Sequence, residues 1–366
     1  MREKYRLKRK KILVISTQLR GGCFQYANNI ISNWKDRSEI VLPDHGLEEE
    51  TVIPNWTIKY YDHNQIIRLL SFFYSILRIT CGLLLGRYEA LVLFGLSQWD
   101  YYYLKLWNIT KLRSFTVIHD GKMHDGELCE QLQKQIVAMM EMSTHLIFLS
   151  EYVRQLVKES FNIDKPYHIA PHGLIDYGCI QPREQSDKPV LLFLGRVSRY
   201  KGIDMLLEAM QSVPEDCYSK LVIAGRWEDN LNVIDTTDKI HVINKFLTTD
   251  EILNYIDQSD VMLFPYNEAS QSGVATLALN YLKPSIVTEV GAFKEQFTAQ
   301  SAIFIPPHNP NIFAQAIIEL CNDITKRVAM VEAIKREKYN FNWEKISNDL
   351  FTYISQESLI NESTNS

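Results

Sequence analysis

The chain has no Cys-x-x-Cys pair; its six cysteines, Cys23, Cys81, Cys129, Cys179, Cys217 and Cys321, are scattered over 366 residues. That spacing argues against a disulfide framework and suits reduced thiols in a cytoplasm. Positive charge is not in excess, since 39 Lys and Arg stand against 44 Asp and Glu for a net charge of −5. With no RNA- or DNA-binding signature either, a nucleic-acid partner is not expected. No apolar run reads as long and unbroken enough to span a bilayer; the nearest, Ile66 to Gly86, is interrupted by Arg68 and Arg78. Seven Lys and Arg against one Glu crowd residues 1–11, but the apolar stretch that follows, Ile12 to Ile15, is too short for a signal peptide and reads as a first strand. There is no internal repeat and no low-complexity tract.

What is present is an alternation of apolar strands and amphipathic helices. Strands are expected at 11–17, 39–43, 57–61, 88–95, 114–119, 144–149 and 167–170, then at 189–195, 219–225, 239–243, 259–264, 284–288 and 301–305. Helical patterns fill most gaps, among them 25–35, 128–142, 150–161, 204–212, 249–258, 272–282 and 310–321. Such alternation implies parallel sheets covered on both faces. The length suggests about two domains, and a hydrophobic content of 46% gives each a normal core. A polar stretch with Gly178, Pro182 and Pro189 places the boundary at Tyr177 to Pro189. The domains are then 1–180 and 189–340, followed by a last helix at 341–355 and a polar tail, 356–366, expected to fray.

The richest motif is Gly195-Arg196-Val197-Ser198-Arg199-Tyr200-Lys201-Gly202-Ile203-Asp204. An apolar strand, Val190 to Leu194, runs into a glycine, two cations follow five residues apart, and a second glycine opens a helix. Glycines let the backbone approach an anion, a helix start offers free N–H groups, and Arg196 and Lys201 add charge. A diphosphate is the expected anion; the plain alternative is a turn with two solvated cations. Pro265 to Gly273 follows another strand and would aim a helix N-terminus at the same spot. His119-Asp120-Gly121-Lys122-Met123-His124-Asp125-Gly126 is dense in polar groups, but histidines five apart suit one helix face poorly, and no metal site is expected. Gly21-Gly22 follows the first strand without completing a GxGxxG, so a nicotinamide cofactor is poorly supported. In Ile66 to Gly86 a polar stripe, Arg68, Ser71, Ser75 and Arg78, accompanies a broad apolar face. That face could pack on the first sheet or lie in an anionic membrane surface, helped by the basic N-terminus.

These motifs resemble the retaining, GT-B-fold glycosyltransferases of the large family four. The likeness rests on GRVSRYKGID together with Gly21-Gly22, His119-Asp120, Ala170-Pro171-His172-Gly173, Pro265 to Gly273, and Phe341-Asn342-Trp343-Glu344, and covers roughly residues 11 to 355. It implies an α/β fold of two Rossmann-like parallel-sheet domains facing a cleft, with the last helix crossing back to the first domain. It implies that Gly195, Arg196, Lys201, Gln271, Ser272 and Gly273 hold the diphosphate of a nucleotide-sugar, with Gly21 and Gly22 lining the cleft. His119 would contact the transferred sugar beside Asp120, and Glu268 would contact the donor sugar. His172 and Glu295 fall at positions near the cleft and the donor site, and the base would meet Asn244 to Phe246. The family's second glutamate is missing: it falls on Leu277 counted from Pro284, or on Thr276 counted from Glu268. The resemblance implies no metal and no cofactor beyond the donor substrate. The acceptor would be a glycan or lipid-linked oligosaccharide in bacterial surface polysaccharide synthesis, placing the protein in the cytoplasm at the inner face of the plasma membrane. Two other readings stay open: a GT-B-fold nucleotide-sugar epimerase, and a non-catalytic partner that binds donor or glycan.

Overall fold

The computed structural model of the chain describes residues 10–18, 21–34, 36–44, 52–122, 129–181, 184–228, 231 and 237–363. The basic segment up to residue 9, His124 to Gly126 and the last three residues lie outside the described residues. Two compact units emerge. The first carries β1 (Lys11–Ile15), α1 (Gly21–Ile31), β2 (Ser38–Pro43), β3 (Trp56–Ile58), α2 (Gln65–Leu84), β4 (Tyr88–Leu93), α3 (Gln98–Trp107), β5 (Arg113–Ile118), α4 (Glu130–Met142), β6 (His145–Phe148), α5 (Glu151–Phe161) and β7 (Tyr167–Ile169). The second, His172–Asn342, carries β8 (Val190–Leu194), α6 (Ile203–Met210), β9 (Lys220–Ala224), β10 (Ile240–Ile243), α7 (Thr249–Gln258), β11 (Val261–Phe264), α8 (Gly273–Asn280), β12 (Ser285–Thr288), α9 (Phe293–Gln296), β13 (Ala302–Ile305), α10 (Pro310–Asn322) and α11 (Ile324–Glu337). The last helix, α12 (Trp343–Ser363), belongs to the first unit.

Both sheets are parallel, in the orders β3-β2-β1-β4-β5-β6-β7 and β10-β9-β8-β11-β12-β13. Their strands are apolar runs because helices cover both faces; all five residues of β8 are buried. In each sheet the strand order reverses at one place, between β1 and β4 and between β8 and β11. Loops leaving adjacent strands diverge there, which is where open α/β sheets bind ligands.

Four features differ from the sequence expectation. The helix after β1 begins at Gly21, not Gln25. The chain enters the second unit at His172, ahead of the 177–189 stretch, because the His172 amide donates to Gln271 Oε1 at 3.1 Å and Ile175 packs in that unit's core. The 356–366 tail is not frayed from its start: α12 runs to Ser363. Ile346, Leu350, Phe351 and Ile354 bury that helix with Tyr26 and Trp34, and His145 Nε2 lies 3.2 Å from Glu357 Oε2, beyond the expected end.

The fourth concerns α2, which is by length and composition long and apolar enough to cross a membrane, contrary to expectation. From Ser71 onward its polar stripe faces its own unit. Ser71 Oγ accepts the Lys59 amide at 2.9 Å, the buried Ser75 hydroxyl is 2.8 Å from that of Tyr103, and Arg78 Nε is 3.8 Å from Glu39 with its guanidinium over Trp56. With those partners found inward, Ile66, Leu70, Phe73, Leu77 and Leu84 form an outward stripe at helical spacing, flanked by Leu69 and Tyr74.

Burial beside α12 holds two histidines below their ordinary ionisation range, His145 stacked on Phe115 of β5 and His168 stacked on Tyr353 of α12. Desolvation dominates at His145, opposed by Glu357 and reinforced by Arg113 and Lys165, and it dominates at His168, opposed by Asp349. The unfolded chain therefore binds more protons than the folded one as pH falls through the ordinary histidine range near about 6.5. Stability of the first unit is expected to decline over that descent. Thermal unfolding followed from pH 8 to pH 5 should show it, and His168→Gln should flatten the decline.

Candidate functional site

In the second unit, loops after β8 and β11 meet at the strand-order reversal. The chain leaves β8 through Gly195, whose φ of 110° suits glycine, and reaches α6 through Gly202 at φ 67°. A Cβ at Gly202 would lie 1.9 Å from Pro265 O, so only glycine lets the two loops approach this closely. The contact is then bonded: the Asn267 amide donates to Tyr200 O at 2.7 Å, and Asn267 Nδ2 donates to Arg199 O at 3.1 Å.

Lys201 sits in this contact with only 8% exposure. Its Nζ donates to the Tyr266 hydroxyl at 3.1 Å, and a Cβ added at Gly195 would stand 3.3 Å from that Nζ. Tyr266 is buried; desolvation pushes its phenol upward, with a hydrogen bond from Ser272 opposing, so the hydroxyl stays protonated. Ser272 caps α8, its Oγ accepting the Ala275 amide at 3.3 Å. Gln296 braces the turn from both sides, accepting from the Ser272 amide at 3.2 Å and donating to the Ser272 carbonyl at 3.1 Å. Gly195, Lys201, Ser272 and the start of α8 at Gly273 thus form one cluster. Arg196 has different surroundings: it is half-exposed, with Nε 4.0 Å from Glu228 and the guanidinium 6.0 Å from the Tyr200 ring. Glu268 is half-buried, its amide donating to Tyr200 O at 3.3 Å.

Where the family's second glutamate would fall, Thr276 and Leu277 are buried in α8, and Thr276 Oγ1 donates to Gly273 O at 2.8 Å. Glu295 is exposed on α9, while its neighbour Gln296 does the bracing. His172 is buried with Nδ1 2.7 Å from Gly173 O. After β10, Asn244 Oδ1 accepts the Trp227 amide at 3.0 Å, and Phe246, 77% exposed, lies under the Arg226 guanidinium at 5.0 Å.

The first unit gathers the remaining predicted residues at the carboxyl ends of β1 and β5. Gly21 has φ 73°, and a Cβ at Gly21 or Gly22 would meet nothing within 4 Å, so this helix start is open to a close approach. His119 follows β5 and packs edge-on against Tyr26 at 5.0 Å, and Tyr26 is pinned by its hydroxyl donating to Ala170 O at 2.9 Å. Asp120 is exposed; its charge adds to desolvation in pushing the Cys23 thiol up to about 12, so that cysteine is no thiolate nucleophile. Among the described residues no group of three or more His, Cys, Asp or Glu is placed to hold a metal. The sequence assigns no role to Tyr266, which lies inside the Pro265–Gly273 motif, or to Gln296, the neighbour of Glu295.

Comparison with known proteins bears on the arrangement. Residues 188–323 match the family model described as Glycosyl transferases group 1. The chain is 27% identical over 172 residues to an uncharacterized glycosyltransferase of Methanocaldococcus jannaschii, taking in 45% of this chain and 44% of that protein. It therefore spans less than half the length of that relative. Among solved structures it resembles sucrose-phosphate synthase from Thermosynechococcus elongatus, with a TM-score of 0.71, 14% identity and coverage of 95% of this chain and 99% of that one. It also resembles Anabaena HepE in complex with UDP and glucose, with a TM-score of 0.72, 13% identity and coverage of 95% and 100%. In fold the chain is a GT-B protein built of two parallel-sheet Rossmann-like units, and the match over 188–323 supports a glycosyltransferase.

Proposed function

We propose that the protein transfers a sugar, with retention, from a nucleotide-sugar to a glycan or lipid-linked acceptor in the synthesis of a bacterial surface polysaccharide. The observation that carries this reading is the buried Lys201–Tyr266–Ser272 cluster between two glycine-bearing loops at a strand-order reversal. As the nucleoside diphosphate leaves, negative charge builds on its phosphate oxygens. Lys201, with Arg196 from its more exposed position and the backbone N–H groups at the start of α8, would stabilise that charge, and no metal is needed. Gln271 and Gly273 shape the turn, Glu268 takes the donor sugar, and Phe246 offers a ring for the base. The bound UDP and glucose of the Anabaena protein favour a nucleotide-sugar here too. His119 and Asp120 are assigned to the transferring sugar, beside the open backbone of Gly21 and Gly22. The outward apolar face of α2 favours work at the cytoplasmic face of a membrane.

The test is release of nucleoside diphosphate across a panel of nucleotide-sugars and acceptors, with and without EDTA. Transfer that survives the chelator and keeps the donor's anomeric configuration is expected. Epimerised donor without transfer, or tight binding without turnover on any acceptor, would overturn the assignment. His119→Ala is expected to lower turnover about a hundredfold, in the range of positioned catalytic groups, while UDP affinity by calorimetry stays within about twofold. Equal losses of turnover and UDP affinity would return His119 to a structural role at the strand end.

A further inference from the structure

Past β3 the chain runs through Tyr60, Tyr61, Asp62 and His63 to Asn64, the N-cap of α2. Tyr60, Tyr61, Gln65, Arg68, Gln98 and Trp99 line a depression of about 430 Å³ there, inside the first unit and separate from the groups assigned above. The volume falls within the roughly 300–1,000 Å³ of small-molecule sites. Its walls are fixed in advance. The Tyr60 ring stands edge-on to Tyr61 at 4.7 Å and to Trp99 at 5.1 Å, and Trp99 is only 8% exposed. Tyr61 donates its hydroxyl to Thr17 O at 2.8 Å, and the Thr17 hydroxyl donates to the buried Asp100 at 2.6 Å. The loop after β1, the loop after β3 and the start of α3 are thereby tied together. Aromatic rings beside amides, Asp62 and His63 offer what a pyranose requires: flat apolar faces for its C–H groups and polar partners for its hydroxyls.

The same two turns of α2 have a second side. Gln65 and Arg68 line the depression, whereas Ile66, Leu69, Leu70 and Phe73 are exposed beside them. No acidic residue lies between Asp62 and Glu89, and of the arginines in that span Arg78 and Arg87 lie 3.8 and 3.6 Å from Glu39 whereas Arg68 lines the depression. We infer that this depression binds the sugar head of an amphipathic acceptor, with Arg68 on an anionic phosphate linker and the hydrocarbon tail laid along the apolar face of α2. The inference rests on the glycosyltransferase reading and names the acceptor class for it: a saccharide carried on a lipid phosphate.

The probes are dodecyl diphosphates bearing glucose, galactose or N-acetylglucosamine, titrated by calorimetry into the intact protein, with UDP, GDP and ADP titrated in parallel. At least one probe should bind. Arg68→Glu and Tyr61→Ala should each weaken it about tenfold or more, as for loss of a charge-assisted contact or a ring wall. The matching sugar diphosphate without its tail should bind about tenfold more weakly. Arg68 is exposed, so that variant keeps the fold, and an unchanged melting temperature of the first unit certifies both. Failure of every probe, equal binding by both variants, or equal binding of the tail-less sugar overturns the inference. UDP binding that persists through such a failure leaves the glycosyltransferase reading standing, whereas absence of binding by UDP, GDP and ADP alike removes that reading independently.

Discussion

Replacing Lys201 with methionine is expected to weaken UDP binding about ten- to a hundredfold without destabilising the second unit. A charge-assisted contact contributes about 1.5–3 kcal/mol, and about 1.4 kcal/mol is a factor of ten. Lys201 belongs at the upper end because its ammonium is buried and already oriented by Tyr266, so little ordering remains when an anion arrives. Methionine keeps most of the apolar stem and removes a charge whose burial costs free energy in the ligand-free protein. Affinity should therefore fall while the melting temperature changes little, a combination a merely structural lysine would not give. Arg196→Ala should cost less, since that side chain is half-exposed beside Glu228 and screened by solvent. Gly202→Ala supplies the contrast: it forces a Cβ to within 1.9 Å of Pro265 O at a left-handed backbone position, and should lose stability and binding together. Calorimetry and thermal unfolding on the three variants read this out. Unchanged UDP affinity in Lys201→Met would place the diphosphate elsewhere.

The strand pattern was legible because parallel strands covered on both faces must be apolar along their length, and every expected strand is present, all but β3 within a residue or two at both ends; β3 stops at Ile58, three residues short of its expected end. The loop from Gly195 to Gly202 was legible for a related reason: glycines with positive φ at a strand end leave a mark that packing cannot blur. The roles of Tyr266 and Gln296 left no such mark. Each acts through partners that the topology delivers, Lys201 from 65 residues away and Ser272 from 24, and nothing in their own surroundings distinguishes them from core residues. The orientation of α2 was hidden likewise. Helical spacing separates a polar stripe from an apolar one but does not say which turns inward. That was decided by the Lys59 amide, the Tyr103 hydroxyl and Glu39, contributed by three separate stretches of chain. The tail beyond residue 355 read as polar and loose because Glu357 reveals its use only once His145 is beside it.

The orientation of α2 leads to the second large expected effect. Leu77→Glu and Leu84→Glu should leave the fold intact and each reduce binding to vesicles of mixed anionic and neutral phospholipid about tenfold or more. Both leucines are exposed, at 62% and 82%, so a carboxylate there remains in water and the melting temperature should stay put. In a membrane surface each substitution removes about 1.5–3 kcal/mol of apolar burial and adds about 1 kcal/mol of repulsion from anionic lipid. Ile79→Glu should do the opposite. Ile79 is buried against the first sheet, and an unpaired carboxylate there costs enough to unfold the unit, several kcal/mol in a site with no partner. Binding of the intact protein should weaken with salt, because Arg68 and the basic residues 2–11 attract an anionic surface only within about one Debye length. A transmembrane α2 is disfavoured by the bonds of Ser71, Ser75 and Arg78 to their own unit, which a spanning helix would have to give up. Salt extraction separates the two modes: a helix lying in the surface leaves the vesicles at high salt, and a spanning one does not. Failure of the intact protein to sediment with anionic vesicles at low salt would remove the membrane from the proposed function and leave the outward stripe of α2 to the acceptor's hydrocarbon tail alone.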